Sequence, residues 1–98
     1  MIDNVLIISK LDVGLKTYEY ILISMLKHHN TIKIQTKNHT SYDVLARTLI
    51  ERISFFVRLK KARIDIKIKP RGKDYEILGN EYIIERAPSI QDETLNGT

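Results

Sequence analysis

Residues 58 to 73 hold eight of the sixteen Lys and Arg residues of this chain and one of its twelve Asp and Glu residues. Basic side chains neutralise phosphates and release the counterions condensed on a nucleic acid, which requires charge and reach but no reading of bases. From Ala62 the stretch has period two, with Ala62, Ile64, Ile66 and Ile68 alternating with Arg63, Asp65, Lys67, Lys69 and Arg71. That is the pattern of a strand with one buried face and a basic outer face. A solvated sheet surface gives the same pattern, and strand lysines also guard edges against unwanted pairing. The functional reading therefore depends on where other bases fall. Lys10 follows the first strand-like run and Lys37 the second; with Lys67, Lys69, Arg71 and Lys73 they are the candidate phosphate contacts. Arg63 is set apart, because Asp65 lies two residues along the same face and is available to hold it. Tyr75, beside a turn, is placed either to stack on a base or to pack against its own hairpin.

Other chemistries find less material. His28 and His29 are adjacent, so on a helix they point about 100° apart, and no Cys or Glu at useful spacing joins them or His39 in a ligand set. No metal or cofactor is expected. There is no Ser-His-Asp arrangement in a suggestive context and no glycine-rich phosphate loop, with four glycines in all. Glu51 and Glu81 read as surface partners and strand-start polarity, and neither enzymatic activity nor a small-molecule substrate is expected. With zero cysteines, disulfide and thiolate chemistry is excluded and an intracellular setting is the default.

The elements that would position the basic residues follow from periodicity. Asn4 to Ser9 form a short, continuous apolar run rich in β-branched residues, the pattern of a central strand buried on both faces. Asp12 is the expected cap of a helix over residues 13 to 29, one arc of which gathers Gly14, Leu15, Tyr18, Ile21, Leu22, Met25 and Leu26. Lys27, His28 and His29 are expected in its last turn, at the negative end of the helix dipole. Thr31 to Lys37 alternate as a second strand, with Ile32 and Ile34 inward. Thr40 with Asp43 resembles a capping box for a second helix reaching Leu59. On that helix Val44, Phe55 and Leu59 form a second apolar stripe, left for a subunit interface or tucked under the first helix. Arg58 to Lys61 are expected to close it. Residues 70 to 74 have turn chemistry, Gly79-Asn80 permits a further bend, and Glu81 to Arg86 form the last strand.

The order βαβαββ predicts a two-layer α/β sandwich: a four-stranded mixed sheet, two helices on one face and a C-terminal hairpin arm. The opposite face is expected to collect Lys33, Gln35 and Lys37 with the basic positions of the third strand. Ninety-eight residues allow one domain, assigned to residues 1 to 87. Residues 88 to 98 read as a short, acidic, disordered tail. Without the tail the body has sixteen bases against ten acids, a balance that suits polyanionic partners. No apolar run approaches the roughly 20 residues that cross a bilayer.

Asn4-Val5-Leu6-Ile7-Ile8-Ser9-Lys10 resembles the opening strand and lysine of the archaeal Alba chromatin proteins. Ile32-Lys33-Ile34-Gln35-Thr36-Lys37, a capped second helix ending in Phe55-Phe56, and a basic hairpin are similar to that family's later elements, in order, over about residues 3 to 87. Lys10 matches the first family lysine, Leu11 stands where a second is often found, and Thr36-Lys37 stands where Gly-Arg is typical. The resemblance implies a dimer, homodimeric or with a paralogue, that binds double-stranded DNA or RNA without strong sequence preference in the cytoplasm, associated with the chromosome. Two hairpin arms would embrace the nucleic acid, although the hairpin between Arg71 and Asn80 is short for the family. Phe55 matches a helix-end aromatic used between subunits. Two alternatives accompany this expectation: an RNA-binding subunit of a ribonucleoprotein, and a protein-interaction subunit that uses the second helix.

Overall fold

Leu6 and Ile8, Ile32 and Ile34, and Tyr82 and Ile84 are the buried alternate residues of three adjacent strands, and they turn one face of a sheet toward two helices. The computed structural model describes residues 4–87, with the backbone alone for residues 60–68. Its elements are β1 (Val5–Ile8), α1 (Leu15–Leu26), β2 (Thr31–Thr36), α2 (Thr40–Ile53), β3 (Leu59–Arg71) and β4 (Asp74–Arg86), in the expected order. The sheet runs β1-β2-β4-β3, with β1 and β2 parallel and the other pairs antiparallel. The chain is therefore a two-layer α/β sandwich with a mixed four-stranded sheet.

The helices bury residues at spacings of three and four: Tyr18, Leu22, Met25 and Leu26 from α1, and Ala46, Leu49 and Ile53 from α2. Each fully buried Leu or Ile contributes about 1.5–3 kcal/mol relative to exposure, so this shared core is what holds the helices on the sheet.

Several local expectations are corrected. β1 is an edge strand and not a central one, because β4 takes the other side of β2; it is not buried on both faces either, since the helices pack on the face of Leu6 and Ile8 and Ile7 is 61% exposed on the other. α1 is preceded by Gly14 at φ 91, without a side-chain cap, and not by Asp12. A backbone turn that glycine tolerates delays the helix beyond Asp12's reach. α1 ends at Leu26 with Lys27 as its C-cap, and His28 and His29 follow it, their N–H groups both donating to the Met25 carbonyl. α2 is capped by His39, whose Nδ1 accepts from the Ser41 N–H at 3.1 Å, so Thr40 is the first helical residue. α2 stops at Ile53, well before Leu59. Tight turns carry the chain through Ser54 to Val57, and the Arg58 carbonyl accepts from the Ala87 N–H at 2.8 Å. Pairing of Leu59 with Arg86 overrides the helical periodicity that continues through Phe55, Phe56 and Leu59: Leu59 to Lys61 start β3, with Arg58 just before it, and do not end a helix.

β3 and β4 are 13 residues each, whereas β2 pairs only with Glu81 to Glu85 of β4. The strands beyond that point pair with each other alone and form an arm. Six residue steps from Asn80 to Asp74 extend it about 20 Å, longer than the sequence suggests. Gly79-Asn80 does not break the strand: the register passes from Lys67↔Gly79 to Ile68↔Ile77, leaving Leu78 as the extra residue of a bulge. At the tip Gly72 has φ 60 and Lys73 no positive φ, the pattern of a two-residue type II′ turn.

A Cβ added at Gly79, where φ is 150, falls 1.6 Å from the Thr36 carbonyl oxygen. Relief requires the backbones of β2 and β4 to part. Gly79→Ala is expected to lower stability by about 2 kcal/mol or more in a urea titration, and an unchanged midpoint would contradict this account of the arm's root.

Candidate nucleic-acid interface

Because β1 and β2 are parallel, the chain leaves both at the same end of the sheet, and the helices that follow begin there. Lys10 lies in the first of these exits and Lys37 in the second, both exposed. Two tyrosines tie the exits to the helices. The Tyr18 hydroxyl donates to the Lys10 carbonyl at 2.7 Å, and the Tyr42 hydroxyl donates to the Ser9 carbonyl at 3.3 Å. Lys37 Nζ lies 5.9 Å from the centroid of the same Tyr42 ring, a cation–π contact, and the His39 ring meets it edge-on. Tyr42 thus links both loops to the first turn of α2. The N-terminal ends of two helix dipoles add partial positive charge here.

The arm emerges at the same end. Asn80 N–H donates to Thr36 Oγ1 at 3.3 Å, and Thr36 Oγ1 donates to the Asn80 carbonyl at 3.5 Å. The Asn80 side-chain amide donates to Asp43 Oδ1 at 3.0 Å and to the Tyr82 hydroxyl at 3.2 Å. That hydroxyl, on a side chain 1% exposed, donates in turn to Asp43. Asp43 also pairs with Arg47 Nε at 2.9 Å. Asp43 is therefore not a capping-box member; it fastens the first turns of α2 to the root of the arm.

The six candidate contacts divide into two groups. Lys10 and Lys37 meet at the sheet end, and the backbone of Lys67 pairs with Gly79 at the arm root. The Lys67 side chain, like those of Arg63 and Asp65, lies outside the described residues. Lys69, Arg71 and Lys73 are exposed along the outer arm. Lys69 stands directly across from Glu76 and Arg71 from Asp74, while Lys73 sits in the turn. Sequence reasoning did not find these opposing acids: they follow from the two-residue turn at Gly72-Lys73, which sets the pairing from Arg71↔Asp74 to Ile68↔Ile77, before the bulge. Asn80, Asp43, Tyr42 and Tyr82 were also missed as supports of the site. Only the turn chemistry of Gly79-Asn80 hinted at the junction.

The open sheet face departs from the expected basic surface. β4 lies between β2 and β3, so Glu81 stands beside Gln35; it takes a hydrogen bond from Gln35 at 3.3 Å and a salt bridge from Lys33 at 3.5 Å. With Val5, Ile7 and Ile83 on the same face, the centre is mixed, and the concentration of bases belongs to the sheet end. The stripe of Val44, Phe55 and Leu59 is likewise dispersed: Val44 is on the first turns of α2, Phe55 in the turn beyond it and Leu59 in β3. Val44 and Phe55 are exposed and Leu59 is half-buried. Among the described residues no three His, Cys, Asp or Glu side chains are grouped to hold a metal, and no helix is long and apolar enough to cross a membrane. The expected tail, residues 88–98, lies outside the described residues.

No protein-family model matches the chain, and no curated protein matches it. Geometry and charge define its class: an α/β sandwich with a basic sheet end from which a two-stranded arm projects.

Tyr82→Phe removes a buried donor to Asp43 and an acceptor for Asn80. It is expected to cost roughly 1–3 kcal/mol in urea denaturation while the circular dichroism of the folded state is retained.

Proposed function

We propose that this chain is a sequence-tolerant nucleic-acid-binding protein that grips phosphates through Lys10, Lys37 and the basic arm residues Lys67, Lys69, Arg71 and Lys73. The observation that carries the reading is the meeting of three independent chain segments at one end of the sheet: the exits of β1 and β2 and the root of the β3–β4 arm. A patch assembled from distant parts of the sequence, with a projecting arm beside it, suits a polyanion that extends past the body of the protein. Among the described residues no arrangement of hydrogen-bonding groups suggests base reading, so on this reading the contacts position the ligand and carry little sequence information. The resemblance to the Alba chromatin proteins points the same way, to DNA or RNA as ligand and to a cytoplasmic, chromosome-associated role. On this reading the chain is a binding module and not an enzyme.

Neutralisation of about six phosphates on duplex DNA gives a slope of log affinity against log salt near −5. Lys10→Glu with Lys37→Glu is expected to make that slope shallower by about 2, read by fluorescence anisotropy over a salt series. A wild-type slope near zero would remove the proposal.

Self-association, with a second copy or a paralogue, belongs to the same reading, and Phe55, 80% exposed, is its best-supported contact. Bare aromatic rings in a turn favour a subunit interface over solvent. Phe55→Asp is expected to convert a dimer to a monomer at micromolar concentration in light scattering without loss of secondary structure. A wild-type chain that is monomeric throughout that range removes the homodimer.

A further inference from the structure

The outer arm has two unlike faces. Beyond the bulge the direct cross-strand pairs are Ile68↔Ile77, Lys69↔Glu76, Pro70↔Tyr75 and Arg71↔Asp74, and directly opposed residues share a face. One face therefore carries Lys69 and Arg71 opposite Glu76 and Asp74, so that each base confronts an acid. The other carries Pro70, Tyr75 and Ile77. In a two-residue hairpin the flanking pair, here Arg71 and Asp74, is the hydrogen-bonded one. Pro70 and Tyr75 then occupy a non-hydrogen-bonded pair, where side chains approach more closely and proline's missing N–H costs no ladder bond. A rigid pyrrolidine ring thus lies beside the tyrosine, yet Tyr75 remains 69% exposed and Ile77 46%. Packing against its own hairpin leaves most of the ring in water.

Resting on the reading of the chain as a nucleic-acid-binding protein, we infer that Tyr75, backed by Pro70, is a stacking platform for an unpaired base, and that the arm takes single-stranded RNA or DNA in preference to regular duplex. Two observations carry this. Residues 69 to 78 hold three bases against two acids, so charge alone gives the outer arm, whatever phosphates its bases neutralise, no preference for a duplex over a single strand. The exposed aromatic face instead offers what a stacked duplex cannot use, since the faces of paired bases are already covered. The occupant is a base and not an apolar protein segment on grounds of charge: Lys73, exposed in the turn two residues before Tyr75, is a cation at the arm tip with no acid paired across from it, fitted to the phosphate that accompanies every nucleobase. Base stacking on an aromatic side chain is tolerant of sequence, in keeping with the rest of the site.

The test uses the full chain with single-stranded RNA and DNA of one sequence, each carrying 2-aminopurine, and with a blunt duplex of the same sequence. Wild type and Tyr75→Phe are expected to quench 2-aminopurine emission on binding. Tyr75→Ala is expected to abolish the quench and to weaken single-strand affinity about tenfold or more, with little change on the duplex. Whether RNA or DNA shows the larger loss identifies the preferred strand. If Tyr75→Ala binds single strands as wild type does, or weakens duplex and single strand equally, the stacking platform is overturned while phosphate binding stands. If wild type binds none of the three at low salt, both readings fall.

Discussion

At the end of β2 the Thr36 carbonyl and the backbone of Gly79 approach so closely that no side chain fits between them. β4 loses its neighbour at this point and continues outward with β3 alone. A two-stranded ribbon is marginal by itself, so its direction must be set at its root. Two hydrogen bonds between Thr36 and Asn80 do this on the β2 side, and the Asn80 amide with the Tyr82 hydroxyl does it through Asp43 on the α2 side. The arm is thereby fixed relative to the loops of Lys10 and Lys37, which Tyr18 and Tyr42 hold in turn. A surface arranged in advance loses less conformational freedom when it binds.

The distribution of charge follows from the same topology. A net charge of +4 is modest, and several bases are matched locally: Arg47 with Asp43, Arg52 with Glu19 at 2.6 Å, and Lys33 with Glu81. Exposed pairs of this kind contribute little to stability, about 0–1 kcal/mol, but each removes a cation from the pool open to a ligand. Among the described residues Lys10 and Lys37 form no such pair. Where acids fall on neighbouring elements thus decides which bases are open to phosphate.

Element order, fold class and the inward residues of β2 were legible in the sequence, because period two and period 3.6 differ clearly in Ile32 to Ile34 and in Tyr18 to Leu26. The hairpin was legible from Pro70-Arg71-Gly72-Lys73. What was not legible depended on distant partners. Leu59 continues a helical pattern from Phe55 and is a strand residue only because Arg86 pairs with it. Val5 and Ile7 read as buried on both faces, but apolarity does not tell an edge from a centre. The six candidate bases were visible as charges; their division between a sheet end and an arm rests on a strand order that the one-dimensional pattern does not contain.

That order also bears on assembly. α2 starts at the arm end and runs back antiparallel to β2, and β3 begins at the level of Arg86, beside the start of β2. Phe55, between them, lies at the end of the sheet opposite the arm. Two copies joined through Phe55 alone would point their arms apart and present two separate sites. Arms that embrace one nucleic acid need contact along the flank of the sandwich, where β3 has an edge that no strand covers among the described residues. The position of Phe55 thus links two questions usually asked separately: whether the chain self-associates, and whether one bound nucleic acid or two is held by the assembly.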